Sequence, residues 1–308
     1  MLASALNPLD DLGGVVAIVC HDAGAANLII SWVKALQSSG VEFRACMQGP
    51  AARLWDAAFP GSRNLNEPVQ ALHGARVLVS GTGWASEVEH MARVLAKTSG
   101  QRSVAVLDHW VNYAARFERH GQVAYPDEFW VTDEQALSEA QRCFPNRTVR
   151  QFSNQFLMDE VHHIRSADQA DSTHVLYVLE PARNTWGREQ QGEFQALDYF
   201  EANRTKLGLG GCTTVCLRPH PSDPPNKYAS WAARARKQCT DVHFIFDESA
   251  SLSDAISKVG WVAGCESFAL VVALAAGRQV VCTLPPWAPA CRLPQPGLIH
   301  LSTLPEPK

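Results

Sequence analysis

The stretch that decides the fold is Val15-Val16-Ala17-Ile18-Val19-Cys20-His21-Asp22-Ala23-Gly24, followed by Ala25-Ala26-Asn27-Leu28-Ile29-Ile30-Ser31-Trp32-Val33. An unbroken apolar run, Val15 to Cys20, meets a short loop, His21 to Gly24. From Ala25 to Ser38 the apolar residues Leu28, Ile29, Trp32, Val33 and Leu36 then recur at helical spacing. A strand without polar alternation is buried on both faces, as in a parallel sheet. The unit repeats along the first half. Val41 to Cys46 is a strand with a short helix over Pro50 to Phe59. Arg76 to Ser80 is the next, with the loop Gly81-Thr82-Gly83 and a helix over Ala85 to Lys97. Ser103 to Leu107 ends in Asp108-His109-Trp110, and Glu128 to Thr132 precedes Asp133, which opens a helix with carboxylates in its first turn.

A polar stretch, Asp159 to Thr173, lacks apolar periodicity and reads as a linker. The alternation then restarts. Strands are expected at Val175 to Leu179, Val215 to Leu217, His243 to Phe246, Gly260 to Ala263 and Gln279 to Thr283. Helices are expected near Glu189 to Lys206, Tyr228 to Gln238, Leu252 to Ser257 and Ser267 to Ala276. The fold class is therefore α/β, with two Rossmann-like doubly wound parallel-sheet domains facing a central cleft. The first spans residues 1–160 and the second residues 174–308. Ligands in such sheets bind beyond the carboxyl ends of the strands, so the loops after the strands are where chemistry belongs.

The 308 residues suffice for two hydrophobic cores. A net charge of −4 argues against nucleic-acid or membrane-surface partners, which need a basic excess. Nine irregularly placed cysteines fit neither a disulfide framework nor a paired CxxC metal site. Asp10 and Asp11 stand where a secretion signal would be basic, and the longest apolar run, Phe268 to Ala276, is too short to span a bilayer. A soluble cytoplasmic protein without an integral membrane segment is expected.

Among the loops, Arg218-Pro219-His220-Pro221-Ser222, followed by Lys227-Tyr228, stands out. Two prolines fix the backbone around His220 where the chain leaves the sheet. Arg218 can offer a planar fork to an anion, with Ser222 and Lys227 adding a hydroxyl and a charge. The plainer reading is a histidine in a surface turn. Gly264-Cys265-Glu266-Ser267 joins a strand to a helix, where fresh backbone N–H groups can bind an anion, although Ser267 can equally be a simple N-cap. His21-Asp22 and Asp108-His109 each follow a strand and offer general-base candidates, although neighbours on an extended strand point to opposite faces. Gly81-Thr82-Gly83 lacks full dinucleotide-loop spacing and reads as structural, and His162-His163 reads as a solvated pair. No Asp-x-Asp triplet occurs, so neither a metal nor a cofactor is expected.

The segment Val175 to Pro285, with LEP, RPHPSDPPNKY, DES and GCESFALVVALAAGRQVV, resembles the C-terminal half of GT-B glycosyltransferases. Within them it is most similar to bacterial sialyltransferase, polysialyltransferase and polyol-phosphate transferase enzymes of capsule and wall synthesis, which share a His-Pro motif. The resemblance implies that His220 contacts the donor phosphate or protonates the leaving group, that Ser267 and its amides bind the same phosphate, and that Arg218 compensates charge. Glu180 falls near an acidic motif of those enzymes, but Leu-Glu-Pro replaces two acids and a glycine. The implied activity is a metal-independent inverting transfer of a sugar, with a CMP-activated acidic sugar as one candidate, in surface glycan synthesis. The partners would be a nucleotide-sugar donor and a glycan or other hydroxyl acceptor, with a homo-oligomer left open. Two other readings use the same architecture: a nucleotide-sugar epimerase or hydrolase, and a catalytically silent binding protein.

Overall fold

A computed structural model describes residues 7–36, 40–209, 213–239 and 241–305. Strand β1 is Gly14–Cys20, and its last five residues are fully covered, as an apolar run without alternation requires. Helix α1, Ala23–Lys34, begins two residues earlier than the spacing suggests, while positions 37 and 38 of the expected helix lie outside the described residues. There follow β2 (Val41–Met47), α2 (Gly49–Ala58), α3 (Pro68–Leu72), β3 (Val77–Ser80), α4 (Val88–Thr98) and β4 (Arg102–Val106). A small antiparallel hairpin, β5 (Glu118–Arg119) and β6 (Gln122–Val123), precedes β7 (Glu128–Val131), α5 (Glu134–Cys143) and β8 (Thr148–Gln151). Asp133 caps α5 through Oδ1, which accepts from the Ala136 N–H at 2.7 Å.

The main strands form one parallel sheet in the order β2-β1-β3-β4-β7-β8. Successive residues of β1 feed opposite faces: Val16, Ile18 and Cys20 pack with Leu28, Ile29 and Trp32, whereas Ala17 and Val19 pack with Leu78, Val88 and Ala92. A third cluster gathers Phe117, Phe129 and Phe144, with the Phe129 and Phe144 rings stacked at 4.1 Å.

The chain divides into two compact units between Phe156 and Leu157, inside helix α6 (Gln155–His162). The second unit comprises β9 (Asp171–Val178), α7 (Gly192–Asn203), β10 (Thr213–Arg218), α8 (Ala229–Gln238), β11 (Val242–Phe246) and α9 (Leu252–Ser257). It continues with β12 (Val259–Gly264), α10 (Phe268–Ala275), β13 (Gln279–Cys282) and β14 (Ile299–His300). Its sheet is again parallel, in the order β11-β10-β9-β12-β13-β14, so the first strand of the unit sits centrally and the order reverses beside it. Both sheets are therefore doubly wound and Rossmann-like.

The expected linker, 159–173, is corrected in detail: it holds the end of α6 and the exposed lead of β9. Its polar residues bind within the second unit. Glu160 accepts from Ser253 Oγ, the Arg165 N–H donates to Ser257 Oγ, and buried Arg278 donates to the Arg165 carbonyl at 2.7 Å. Polarity here satisfies α9 and the sheet edge, which apolar periodicity does not register.

Replacing the fully buried Phe129 by alanine opens a cavity among three aromatic rings, those of Phe117, Tyr125 and Phe144. The expected loss is about 3–5 kcal/mol of stability, measured as a lower urea midpoint with an unchanged slope.

Candidate functional site

In the second unit, β-sheet register brings three loops to one level. Val178 of β9 stands opposite Arg218 of β10 and opposite Gly264 of β12, so the segments after all three leave the sheet side by side. The gap between β9 and β12 is the point where strand order reverses, the position at which open parallel sheets bind ligands.

Glu180 occupies that gap and is 3% exposed. Its Oε1 accepts from the Glu266 N–H at 2.5 Å, and its Oε2 accepts from Arg183 Nε at 2.6 Å and from the same guanidinium's Nη2. Its carbonyl accepts from the buried Tyr228 hydroxyl at 2.9 Å. One residue thus ties the post-β9, post-β10 and post-β12 segments together. Glu266 turns outward to Arg292, which chelates its carboxylate and also donates its backbone N–H at 2.9 Å. Burial would raise the Glu266 carboxyl, but the Arg292 guanidinium, the Arg292 N–H and Arg183 outweigh it and hold it below the usual range. Ser267 caps α10, its hydroxyl accepting from the Ala269 N–H at 3.2 Å. Gly264 ends β12, and Cys265 is buried, which pushes its thiol well up.

His220 is exposed on the loop after β10. The Ser222 N–H donates to its Nδ1 at 3.2 Å, with Ser222 Oγ at 2.7 Å from the same nitrogen. A ring nitrogen that accepts from an amide carries no proton, so His220 presents Nε2–H as a donor. The His220 N–H in turn donates to Asp223 Oδ2 at 3.0 Å, and Asp223 is held by Lys227 at 2.8 Å. Lys227 also pairs with buried Glu193 at 2.9 Å. Burial would lower the Lys227 ammonium, but Asp223 and Glu193 hold it above its ordinary value. Arg218, on the neighbouring strand end, pairs with Asp247 and donates to the Ser249 carbonyl. Both expected anion-binding cations are therefore committed to internal carboxylates, which sequence spacing does not reveal.

The first unit assembles a second group where its strand order reverses, beyond β1 and β3. His21 and Asp22 lie past the end of β1, in the turn into α1, so the opposite-face argument does not apply. Asp22 Oδ1 lies 2.6 Å from His21 Nδ1, which fixes Nδ1 as the donor and leaves Nε2 as an acceptor. Asp108 meets Arg116 at 3.6 Å and lies against Gly24, whereas His109 Nδ1 accepts from the Trp110 N–H. A side chain at Gly24 would run into Asp108, and one at Gly83 into Asp22, so both loops need glycine for close approach. Glu89 of α4, which sequence reasoning missed, underlies the group: it accepts from the His21 N–H at 2.9 Å and from the Gly83 N–H. Burial raises its carboxyl above the ordinary value, and the His21 N–H, Arg93 and the Gly83 N–H offset part of that rise. Burial lowers Arg93 to about 10, and its guanidinium donates to Ser80 Oγ and the Gly81 carbonyl. Glu89 four residues before Arg93, at helical spacing with the inward-facing Ala92 and Ala96, is the signal that could have found them. His162 and His163 sit on α6 and just beyond it, with His163 Nδ1 2.6 Å from the Asp159 carbonyl oxygen.

Two outcomes follow from these networks. Glu180→Ala leaves the Glu266 N–H without its acceptor and Arg183 with only the more distant Glu266 carboxylate, and should cost about 1–3 kcal/mol, measured by chemical denaturation. A depressed Glu266 carboxyl contributes stability above the ordinary carboxylate value of 4.5, and that contribution is lost as pH falls through and below it. Glu266→Gln should be less stable at pH 7 by about 1 kcal/mol, the exposed Arg292 end limiting the loss. The difference from wild type should shrink between pH 5 and 3, on the order of one to two pH units around that value, when urea midpoints are compared across pH.

No family model matches the chain, and no curated protein is similar to it in sequence. Solved structures share its fold. One, from Listeria monocytogenes and described as a candidate UDP-N-acetylglucosamine 2-epimerase, has a TM-score of 0.62 at 12% identity over 87% of this chain and 78% of that one. The UDP co-structure of S. aureus MnaA gives 0.57 at 12% identity over 87% and 78%. The Methanocaldococcus jannaschii UDP-GlcNAc 2-epimerase in complex with UDP-GlcNAc and UDP gives 0.56 at 9% identity over 87% and 83%. At these identities the likeness is one of fold, and the chain has the two Rossmann-like domains of the GT-B type.

Proposed function

We propose that the protein is an enzyme acting on a nucleotide sugar, with the second unit holding the nucleotide's phosphates and the sugar passing to a hydroxyl acceptor. The observation that carries this is the set of loops at the β9/β12 gap. There the Gly264 to Ser267 turn, the start of α10 and the His220 loop leave one edge of the sheet at one level. Arg218 and Lys227 are committed elsewhere, so charge compensation for a phosphate falls to backbone N–H groups, the helix dipole and the His220 Nε2–H. Ser222 orients that imidazole with Nε2–H as the donor while Asp223 holds the His220 backbone N–H, an arrangement that suits an anchor better than a proton source.

In the first unit, His21 has the arrangement of a general base. Asp22 holds Nδ1–H, and Nε2 is left to take a proton. In the transfer, the acceptor oxygen bonds to the anomeric carbon as its hydroxyl proton passes to a general base. The bond from that carbon to the phosphate oxygen breaks, and its electron pair leaves with the nucleotide. Asp108, ion-paired with Arg116, is the second candidate for that proton.

Epimerisation is the second reading, favoured because two structures that share the fold are described as UDP-N-acetylglucosamine 2-epimerases. UDP and UDP-sugars are therefore the first nucleotides to test, with CMP and CMP-activated acidic sugars beside them. In a thermal-shift screen, the cognate nucleotide at about 100 times its dissociation constant should add about 2.7 kcal/mol of apparent stability. No shift with any nucleotide would sink the proposal. Nucleotide release that requires an acceptor indicates transfer, and a new sugar epimer without acceptor indicates epimerisation. Binding without turnover indicates a silent binder. His21→Ala should lower turnover by about 10²–10⁴-fold while leaving nucleotide affinity within about threefold of wild type.

A further inference from the structure

Three side chains that this chemistry does not use converge at the edge of the second sheet. Cys282 ends β13, His300 ends β14, and Cys291 lies on the segment between them. Their potential ligand atoms all lie within 4.8 Å of one another. The convergence is built by register: Cys282 stands directly opposite His300 on adjacent parallel strands, so the two side chains leave the same face of the sheet. Cys282 is buried, Cys291 and His300 are half-buried, and both cysteines are free thiols.

The connecting chain explains why something should hold this point. Residues 283 to 298 form neither helix nor strand, contain five prolines, and lead into a strand of two residues. Connections longer than about 12–15 residues without secondary structure are uncommon in compact domains, and a clip that closes such a loop is stabilising. A clip here would have further reach. Cys291 Sγ lies 3.9 Å from the Cys265 carbonyl oxygen, and the next residue is Arg292, which chelates Glu266.

We propose that Cys282, Cys291 and His300 bind a divalent thiophilic cation, with zinc the best match. Two sulfurs and an imidazole form a borderline-soft donor set that suits zinc and disfavours magnesium or calcium. Three protein ligands leave one tetrahedral position to water or an exogenous ligand. On binding, the two thiols release their protons to solvent, and the ion joins β13, β14 and the middle of the proline-rich segment. The Arg292–Glu266 pair is thereby fixed beside the Gly264 to Ser267 loop. This inference stands on these residues alone and does not depend on the nucleotide-sugar reading.

The test uses full-length protein, reduced and stripped of metal, titrated with Co²⁺ as an optical probe and then with Zn²⁺. The expected result is one equivalent of cobalt with a thiolate-to-cobalt charge-transfer band, displaced by zinc, and a zinc-dependent rise in Tm. Cys282→Ser, Cys291→Ser and His300→Ala should each weaken binding by at least about tenfold, and Cys216→Ser should not. Failure of the reduced wild type to bind cobalt overturns the proposal. So does unchanged affinity in a folded His300→Ala, which would leave a simple dithiol. Should a serine variant fail to fold, the wild-type spectrum and His300→Ala decide the matter.

Discussion

The second unit depends on one buried carboxylate. A charge placed at 3% exposure is tolerable only when its lone pairs are used, and Glu180 uses them on a guanidinium and on the backbone N–H of a loop 86 residues away in sequence. Loops after parallel strands have little packing of their own, and nothing in strand propensity specifies how three of them should lie together. A hydrogen bond from a backbone N–H to a water-excluded carboxylate supplies that specification, because any other loop conformation takes the Glu266 N–H away from Oε1. The Tyr228 hydroxyl on the Glu180 carbonyl extends the same constraint to the segment that carries His220.

The first unit reaches the same end by another route. Glu89 comes from a helix, not from a strand end, yet it too accepts from the backbone of two loops, at His21 and Gly83. In both units a carboxylate that touches neither proposed reactant orders the segments that could. The close approaches at Gly24 and Gly83 are the complement of this device: carboxylates sit where a β-carbon would otherwise be, so the loops fold around charge.

Much of the fold was legible in the sequence, for a physical reason. Strands buried on both faces carry few polar interruptions, so β1 and β3 read as nearly continuous apolar runs, and helices that cover them show their period. Elements at the margins escaped. Strand β8, Thr148–Gln151, is polar and mostly exposed at one sheet edge, and β14 is two residues long at the other. At the site, the loops themselves could be placed, because strand order alone says where parallel sheets expose them. Their partners could not. That Lys227 is taken by Asp223 and Glu193, or Arg218 by Asp247, is a matter of three-dimensional proximity that residue type conceals. The meeting of Cys282, Cys291 and His300 is hidden likewise, since strand register and not a short spacing brings them together.

This internal pairing bears on the kind of anion site proposed for the second unit. A free arginine or lysine binds phosphate strongly but also binds any other anion, and water screens it when the site is open. Once those cations are spent on aspartate and glutamate, the groups left facing outward are amides, hydroxyls and a neutral imidazole, whose directions are set by the backbone. Such donors add little attraction at a distance and discriminate by geometry at contact. For chemistry that must hold a phosphate through bond cleavage and then release it, directional donors of moderate strength are better suited than a salt bridge. The network around Glu180, which fixes those directions before any ligand arrives, is the part of the molecule on which that suitability rests.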